Sequence, residues 1–278
     1  MNVTFYGVRG STPCAGPDTK EYGGNTSCVA VERASGTPLL LDLGTGLRYF
    51  GNTVRPDAGF RGTALITHLH WDHVQGLPFF APILREGSHL DIYGPRNETC
   101  SLEDSIRRFV SPPLFPIEID TLPGSIVMHE CADTELELEG LEVTVRSVPH
   151  LGPTNGYRIT DGTASIAYVS DHQQPLDGAS GVADSVLELA AGVDLLIHDA
   201  QYTTSEFADR SNWGHCSVDY ACQVALQAGA KRLALFHHDP GHSDDMLDEI
   251  LDCARLWGDS VGIEVLCASE GLSISFDH

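Results

Sequence analysis

Four side chains able to bind a metal ion fall within six residues of the sequence. They are His68, His70, Asp72 and His73, and they follow directly after an apolar strand predicted over 63–67. Two histidines at i and i+2 project to the same side of an extended chain, and Asp72 and His73 can face a second point beyond the bend. Imidazole and carboxylate groups this close together form the nitrogen and oxygen cage that first-row metals prefer. We therefore predict a metal site at the end of this strand.

Three more residues with ligand chemistry lie further along the chain, each at the end of a predicted strand. They are His150, Asp171 and His237, whose strands are predicted over 141–149, 165–169 and 232–236. Loops at strand ends are where functional sites tend to be built. One such residue alone is usually a turn former or a cap, so only the set indicates a site.

The elements that must position these side chains are predicted to be strands early in the chain and alternating helices and strands later. Early strands are predicted over 3–8, 28–31 and 38–42, and a helix over 98–110. The segment 111–123 contains four prolines and is predicted to be a loop. Later helices are predicted over 182–191, 217–228 and 243–256, followed by strands over 193–197, 232–236, 261–267 and 272–276. This order indicates an α/β fold with sheets packed between layers of helices.

The ordered series of these ligand-type residues resembles the signature of the metallo-β-lactamase superfamily. The likeness extends over essentially the whole chain and is greatest to the phosphodiesterase branch, which includes tRNase Z and small cyclic-nucleotide and cyclic-phosphate phosphodiesterases. It implies a four-layer αββα sandwich with two divalent metal ions at the edge of the sheets. By this resemblance one ion binds His68, His70 and His150, the other binds Asp72, His73 and His237, and Asp171 bridges them.

Two further segments resemble the phosphodiesterase branch and carry an acid and a histidine. Residues 196–202, with Asp199, resemble the His-Glu-Ala-Thr segment of tRNase Z, and residues 214–217, with His215, resemble its Gly-His-Ser-Thr segment. The resemblance implies that Asp199 orients His215, and that His215 contacts a phosphate oxygen or protonates the leaving alkoxide. A structural interpretation stays open, in which His215 only begins a helix and Asp199 only forms a turn.

The sequence also departs from tRNase Z in ways that bear on the substrate. His150 and Asp171 are 21 positions apart, whereas tRNase Z inserts the arm that grips tRNA in this interval. Since 21 residues with two short strands leave no room for that arm, a tRNA substrate is not expected. His237 aligns with a metal ligand of the family, and the adjacent His238 is an alternative for that role. Arg9, in a glycine-rich run, is a candidate phosphate contact.

These residues together imply a dinuclear metal-dependent hydrolase. The preferred hypothesis is a phosphodiesterase that cleaves a small phosphodiester such as a cyclic nucleotide. Bound metal lowers the pKa of water from 15.7 to about 7, which supplies a hydroxide nucleophile, and Asp72 would bind and orient it. Zinc suits the histidine-rich ligands, while manganese or iron also suit bridged carboxylates. Hydrolysis of a lactone, thioester or amide, or a metal-binding sensor module with weak turnover, are the alternatives.

The net charge of the chain limits the classes of partner that it can be expected to bind. The 278 residues carry a formal net charge of −23, so an extended nucleic acid or an anionic membrane is a poor partner. A small phosphodiester drawn to a local positive metal centre agrees with this charge. Dimers are common in the family, so a homodimer is an open alternative, although no segment identifies an interface.

The chain shows no internal division. No repeat, low-complexity segment or linker separates one part from another, so residues 1–278 are predicted to form a single metallo-β-lactamase-like hydrolase domain. Eight scattered cysteines without a CxxC pair, together with the lack of an apolar signal or transmembrane segment, indicate reduced thiols and a cytoplasmic protein.

Overall fold

Two sheets of seven strands each lie face to face in the computed structural model, which describes residues 1–33, 36–56, 59–176 and 181–276. The first sheet contains β1 (Asn2–Gly7), β2 (Cys28–Glu32), β3 (Leu39–Leu41), β4 (Arg61–Leu65), β5 (His89–Gly94) and β6 (Ser125–Glu130), with β14 (Ser273–Ser275) beside β1. The second contains β7 (Thr134–Leu138), β8 (Leu141–Ser147), β9 (Asn155–Thr160), β10 (Ser165–Val169), β11 (Leu195–Asp199), β12 (Arg232–Phe236) and β13 (Glu264–Cys267). Apart from β14, the strands of each sheet follow one another in chain order.

Helices cover the outer faces of both sheets. The first sheet is covered by α1 (Leu47–Thr53), α2 (Trp71–Val74) and α3 (Leu102–Phe109). The second is covered by α4 (Asp184–Ala190), α6 (Val218–Ala228) and α7 (Asp244–Val261), with α5 (Thr204–Arg210) between β11 and α6 in the chain. This is a four-layer αββα sandwich, so the fold predicted from the resemblance is confirmed.

Apolar side chains fill the three spaces between these four layers. Phe5, Tyr168 and Phe236 lie between the two sheets, while Phe50 and Leu247 lie between a sheet and its helices. Central strands such as β3 and β11 are buried along their whole length, which explains the apolar runs over 39–41 and 195–197. Strand β8 alternates between buried and exposed positions instead, because one of its faces meets water.

Strand direction brings the predicted site residues to one edge of the sandwich. β10, β11 and β12 are parallel neighbours in the second sheet, and β4 is parallel to β3 and β5 in the first. The carboxyl ends of parallel strands meet at the same edge, which is where α/β folds place their ligand sites. The loops after β4, β8, β10, β11 and β12 carry the residues singled out above.

The interval between His150 and Asp171 holds a simple hairpin. β9 and β10 occupy most of it and pair antiparallel, with a short turn between Thr160 and Ser165. Every residue of this interval is described, and none belongs to an inserted arm. The expected lack of room for an arm in this interval is therefore confirmed, whereas the expectation about tRNA as a substrate stays a prediction.

The structure also bears on the predicted location. Within the described ranges, no helix combines the length and the apolar character needed to cross a membrane. Each of the eight cysteines is a free thiol, and five of them are buried. A cytoplasmic location stays a prediction, as does the single-domain assignment of residues 1–278.

Candidate metal centre

Three histidines from two different loops form a first group of converging side chains. His68 and His70 follow β4, and His150 follows β8. His68 Nε2 lies 2.8 Å from His70 Nδ1, and His150 Nε2 lies 3.3 Å from that same atom. Their ligand atoms all lie within 4.8 Å of one another. We name these residues the first triad.

A second group lies beside the first and contains Asp72, His73 and His237, which we name the second triad. Asp72 Oδ2 lies 3.0 Å from His237 Nε2 and 3.2 Å from His73 Nε2. The two Nε2 atoms of His73 and His237 are 3.3 Å apart. All three side chains are buried. His70 is the last extended residue before α2, so the start of this helix turns Asp72 and His73 away from His70.

Asp171, at the end of β10, lies between the two triads. Its Oδ1 is 3.8 Å from His68 Nε2 and 3.9 Å from His150 Nε2, both in the first triad. Its Oδ2 is 3.3 Å from His73 Nε2, and its Oδ1 is 3.5 Å from His237 Nε2, both in the second triad. The structure therefore brings all seven predicted ligand residues together, with Asp171 at the position expected of a bridge.

The hydrogen bonds made by Nδ1 of three of these histidines fit a site for cations. His73 Nδ1 donates to Asp42 at 2.8 Å, His150 Nδ1 donates to the Gly214 carbonyl at 2.6 Å, and His237 Nδ1 donates to Gln201 Oε1 at 2.9 Å. Because Nδ1 makes these hydrogen bonds, Nε2 of each ring is directed toward the centre of its triad, and this atom carries the lone pair in the neutral ring that binds a metal. Nε2 atoms and carboxylate oxygens that converge in this way fit divalent metal ions.

The pKa values of the first triad favour the form of histidine that binds metals. Burial lowers the pKa of His68 well below its ordinary value, and the neighbouring His73 lowers it further. Burial also lowers the pKa values of His70 and His150. These rings are therefore neutral at physiological pH, which is the form in which imidazole acts as a ligand.

The carboxylates set the potential of the second triad. Burial by itself raises the pKa of Asp171, but His237, His73 and His68 outweigh it, so that pKa lies well below its ordinary value. The pKa of Asp72 is likewise held down by His73 and His237 against the effect of its burial. Burial by itself lowers the pKa values of His73 and His237, but both carboxylates are ionised and outweigh it, so these pKa values are raised. This negative potential favours a cation at the second triad.

Asp42 is a site residue that the sequence reasoning missed. It is buried at the end of β3 with φ of 59°, and it accepts hydrogen bonds from Thr67, Tyr168 and His73. It thereby fixes the orientation of the His73 ring. A signal was available, because a carboxylate directly after an aliphatic strand is buried and needs partners.

The predicted acid–histidine pair is present beside the triads. Asp199 ends β11, and its Oδ2 accepts from His215 Nδ1 at 3.0 Å. The backbone N–H groups of His172 and Gln201 also donate to this carboxylate, which fixes its position. The His215 ring stacks on His237, with ring centroids 4.9 Å apart. His215 lies just before the helix α6, whose N-cap is Ser217.

Arg9 and His238, which the sequence analysis also considered, both bind backbone carbonyl groups. Arg9 is wholly buried and donates to the carbonyl groups of Gly23, Asp239 and His242, so its assignment as a phosphate contact is wrong. Nothing in the sequence near Arg9 revealed these distant carbonyls. His238 donates to the Ala268 carbonyl at 2.9 Å and lies in neither triad. The structure thus brings His237, and not His238, to the other ligand residues.

The comparison with known families agrees with this geometry. The sequence model described as "Beta-lactamase superfamily domain" matches residues 41–238, which is more than half of the chain. The chain therefore belongs to the metallo-β-lactamase superfamily, and the resemblance carried by its histidine and aspartate motifs is confirmed. It is a metal-dependent hydrolase of that superfamily.

Individual relatives extend over most of the chain. An uncharacterised protein of Mycobacterium tuberculosis is 32% identical over 90% of this chain and 85% of its own. Ribonuclease Z of Natronomonas pharaonis is 26% identical over 88% of this chain and 89% of its own. The crystal structure of human tRNase Z, short form, matches with a TM-score of 0.71 at 24% identity and covers 100% of both chains. At that identity the structural likeness shows the fold alone.

Proposed function

We propose that this hydrolase cleaves small phosphodiesters, of which a cyclic nucleotide is the favoured example. The observation that carries the proposal is the hydrogen-bonded pair Asp199–His215, which borders both triads. Relatives named Ribonuclease Z support the same type of scissile bond, since a ribonuclease cleaves phosphodiesters. Hydrolysis of a carboxylic ester or amide has less need of an acid–histidine pair in addition to the metal ligands.

The seven converging side chains would hold two divalent ions. The first triad would bind one ion and the second triad the other, with Asp171 between them. We assign zinc, with manganese and iron as the alternatives for a site containing carboxylates. When bound, such ions polarise the phosphoryl group and lower the pKa of water, so that a nucleophile exists at neutral pH.

The remaining steps belong to side chains of the protein. Asp72 Oδ2 accepts from the backbone N–H of Ser11 at 2.7 Å, which fixes the carboxylate that would orient the attacking water. Asp199 accepts from Nδ1 of His215, which leaves Nε2 of that ring to face the cavity. His215 would hold a proton at Nε2 and pass it to the leaving oxygen. General acid catalysis of this kind contributes about 10²–10⁴-fold.

Charge and shape favour a small substrate over an extended nucleic acid. The net charge of −23 opposes binding along a phosphate backbone, and the β9–β10 hairpin occupies the interval in which tRNase Z carries its arm. A single phosphodiester can approach because the site itself would be positive when loaded with metal. The homodimer expected from the family stays a prediction.

Hydrolysis of bis(p-nitrophenyl) phosphate, followed by a panel of cyclic nucleotides, tests the proposal. Protein loaded with zinc, manganese or iron should turn over this ester, and a chelator should abolish the turnover. Asp72→Ala should lose it, while Asp91→Ala, which removes a carboxylate of the β5–β6 surface, should keep it. If no ion-loaded form hydrolyses any of these phosphodiesters despite two bound ions per chain, the proposal is wrong. Lactones and thioesters would then be the substrates to test.

A further inference from the structure

Two of the three tryptophans of the chain stand exposed at the rim of the metal centre. The side chains of Trp71 and Trp213 are 61% and 58% exposed. Both line a cavity of about 650 Å³ that also contains His70, Asp72, Asp171 and His215. The third tryptophan, Trp257, belongs to α7, is partly buried and lines a different cavity.

Exposure of two indole rings in one cavity indicates a ligand. A large aromatic side chain gains stability when it leaves water, so folding normally buries it or covers part of it. Leu151, which is 52% exposed, extends the same apolar rim. Exposed apolar patches around a few convergent polar groups mark binding sites for small molecules, and the volume of this cavity lies within their usual range.

Both rings are held in place by their neighbours, so they present fixed planar surfaces. Trp71 is the first residue of α2, between His70 and Asp72, and its ring meets the edge of Phe109 with centroids 5.8 Å apart. Trp213 lies two residues before His215, and its backbone N–H donates to the Arg210 carbonyl at 3.0 Å. The guanidinium of Arg210 lies 5.8 Å from the Trp213 ring. Rigid planar surfaces of this kind suit planar ligands.

The charges of the cavity exclude a polyphosphate as the group that these rings contact. None of its ten described lining residues is a lysine or an arginine. The guanidinium of Arg210, beside Trp213, is paired with Asp239 at 3.2 Å. Apart from the phosphoryl group at the metals, the substrate would therefore meet indole rings, Leu69 and Leu151 rather than cations.

We infer that Trp71 and Trp213 are specificity-determining residues, which stack on an aromatic group carried by the phosphodiester, such as a nucleobase. The inference rests on the proposed function, because it assigns the phosphoryl end of the ligand to the metals. Both rings line the same cavity as the site residues, so one ligand the size of a nucleotide can contact both. Stacking on an aromatic side chain does not depend on which base is present, so the selection is for aromatic character.

Binding of two phosphomonoesters that differ only in the base tests this inference. The ligands are AMP and ribose 5-phosphate, and isothermal titration calorimetry on metal-loaded protein measures their affinities without any need for turnover. Wild-type protein should bind AMP about 10-fold or more tightly than ribose 5-phosphate, as expected for one stacked base. Trp71→Ala and Trp213→Ala should each weaken AMP binding several-fold and leave ribose 5-phosphate unchanged.

Three controls make the result specific. Trp257→Ala removes an indole elsewhere and should leave both affinities unchanged, while Trp71→Phe and Trp213→Phe should retain most of the preference for AMP. Metal content and melting temperature show that each variant is folded and loaded. Equal affinities for the two ligands in wild-type protein, or unchanged AMP binding in both alanine variants, would overturn the inference. Hydrolysis of phosphodiesters is measured separately, so failure of the proposed function appears as absent turnover and not as a changed preference.

Discussion

The chemistry of each histidine in this site depends on what its second ring nitrogen contacts. His73, His150 and His237 each donate from Nδ1 to an oxygen, and in each case Nε2 is left for the centre of a triad. These oxygens belong to a carboxylate, a backbone carbonyl and a side-chain amide. Groups of this kind orient a ligand and raise its basicity, and their removal typically weakens metal affinity.

Asp42→Asn should therefore weaken metal binding although Asp42 lies in neither triad. The amide keeps the size of the side chain but cannot supply the carboxylate that accepts from His73 Nδ1. We expect metal affinity to fall about 10–100-fold, measured by competition with a chromogenic chelator. Asp91→Asn is the matched control, because Asp91 likewise accepts from histidine, here His89 and His129, but lies outside both triads. Equal affinities in the two variants would contradict the role of Asp42.

His215→Ala should affect substrates according to their leaving group. An alkoxide needs a proton as it departs, whereas nitrophenolate leaves as a stable anion. We expect kcat to fall about 10²–10⁴-fold for a cyclic nucleotide that the wild-type protein hydrolyses. The loss for bis(p-nitrophenyl) phosphate should be much smaller, and Asp199→Ala should show the same pattern, because Asp199 holds the ring. Equal losses on both substrates would exclude proton donation by His215.

Candidate site residues could be found from the sequence where the chemistry of a side chain and its position after a strand were sufficient to identify it. The ligand-type residues after β4, β8, β10 and β12 could be found because each follows an apolar run and has the chemistry of a ligand. Asp42 escaped because its role depends on Tyr168 and Thr67, which only the folded chain brings near. Arg9 was misassigned for the same reason, since its partners lie as many as 233 positions away. The catalytic and ligand roles themselves stay predictions until they are measured.

At the scale of elements, the loops after the strands determine the site more than the strands do. The loop before α6 shows this clearly. Gly214 has φ of +96°, its carbonyl accepts from His150 and its N–H donates to Gln173. A Cβ atom at this position would lie 2.5 Å from Cε1 of His150. This loop therefore packs against the first triad with room for glycine alone.

Gly214→Ala should disturb the first triad by displacing His150. We expect loss of one bound ion per chain, measured by elemental analysis after dialysis, and loss of turnover. Gly229→Ala is the matched control, because Gly229 also has positive φ, of 67°, but a Cβ there would meet no atom within 4 Å. Backbone strain is common to both variants, so an effect confined to Gly214→Ala comes from the contact with His150. Two bound ions in Gly214→Ala would contradict this explanation.

The strands and helices that could be predicted most accurately were those with a clear pattern of apolar residues. The strand over 165–169 and the strand over 232–236 have the predicted bounds, and the helix predicted over 217–228 is observed at Val218–Ala228. Strands β5, β6 and β7 were missed, because their polar residues alternate with apolar ones near the sheet edge and interrupt any apolar run. The helix α7 extends to Val261, beyond the predicted end at 256, and ends at Gly262 in the left-handed conformation.

At the scale of the whole molecule, the net charge of −23 is the dominant property. Charges of one sign repel across a compact surface and destabilise the folded state. Only 16 basic residues are present to offset 39 acidic ones. Salt shortens the Debye length from about 10 Å at 0.1 M to about 3 Å at 1 M, which screens this repulsion.

The melting temperature of the metal-loaded protein should therefore rise with salt. Between 0.05 and 1 M NaCl we expect an increase of about 4 °C or more, because 1 kcal/mol corresponds to about 2–4 °C in proteins of this size class. Scanning calorimetry measures the shift, and KCl should reproduce it, since screening depends on ionic strength. A melting temperature that is constant or falls with salt would show that repulsion does not limit stability.

The order of the two triads along the chain has a consequence for biosynthesis. The last residue of the first triad is His150, whereas the second triad stays incomplete until His237, which follows His150 by 87 positions. A ribosome that adds about 5–20 residues per second needs roughly 4–17 s to make that stretch. A nascent chain thus exposes a complete first triad, and a half-built second one, for many seconds. The first ion therefore has the opportunity to bind during translation, whereas the second must wait until His237 has been added.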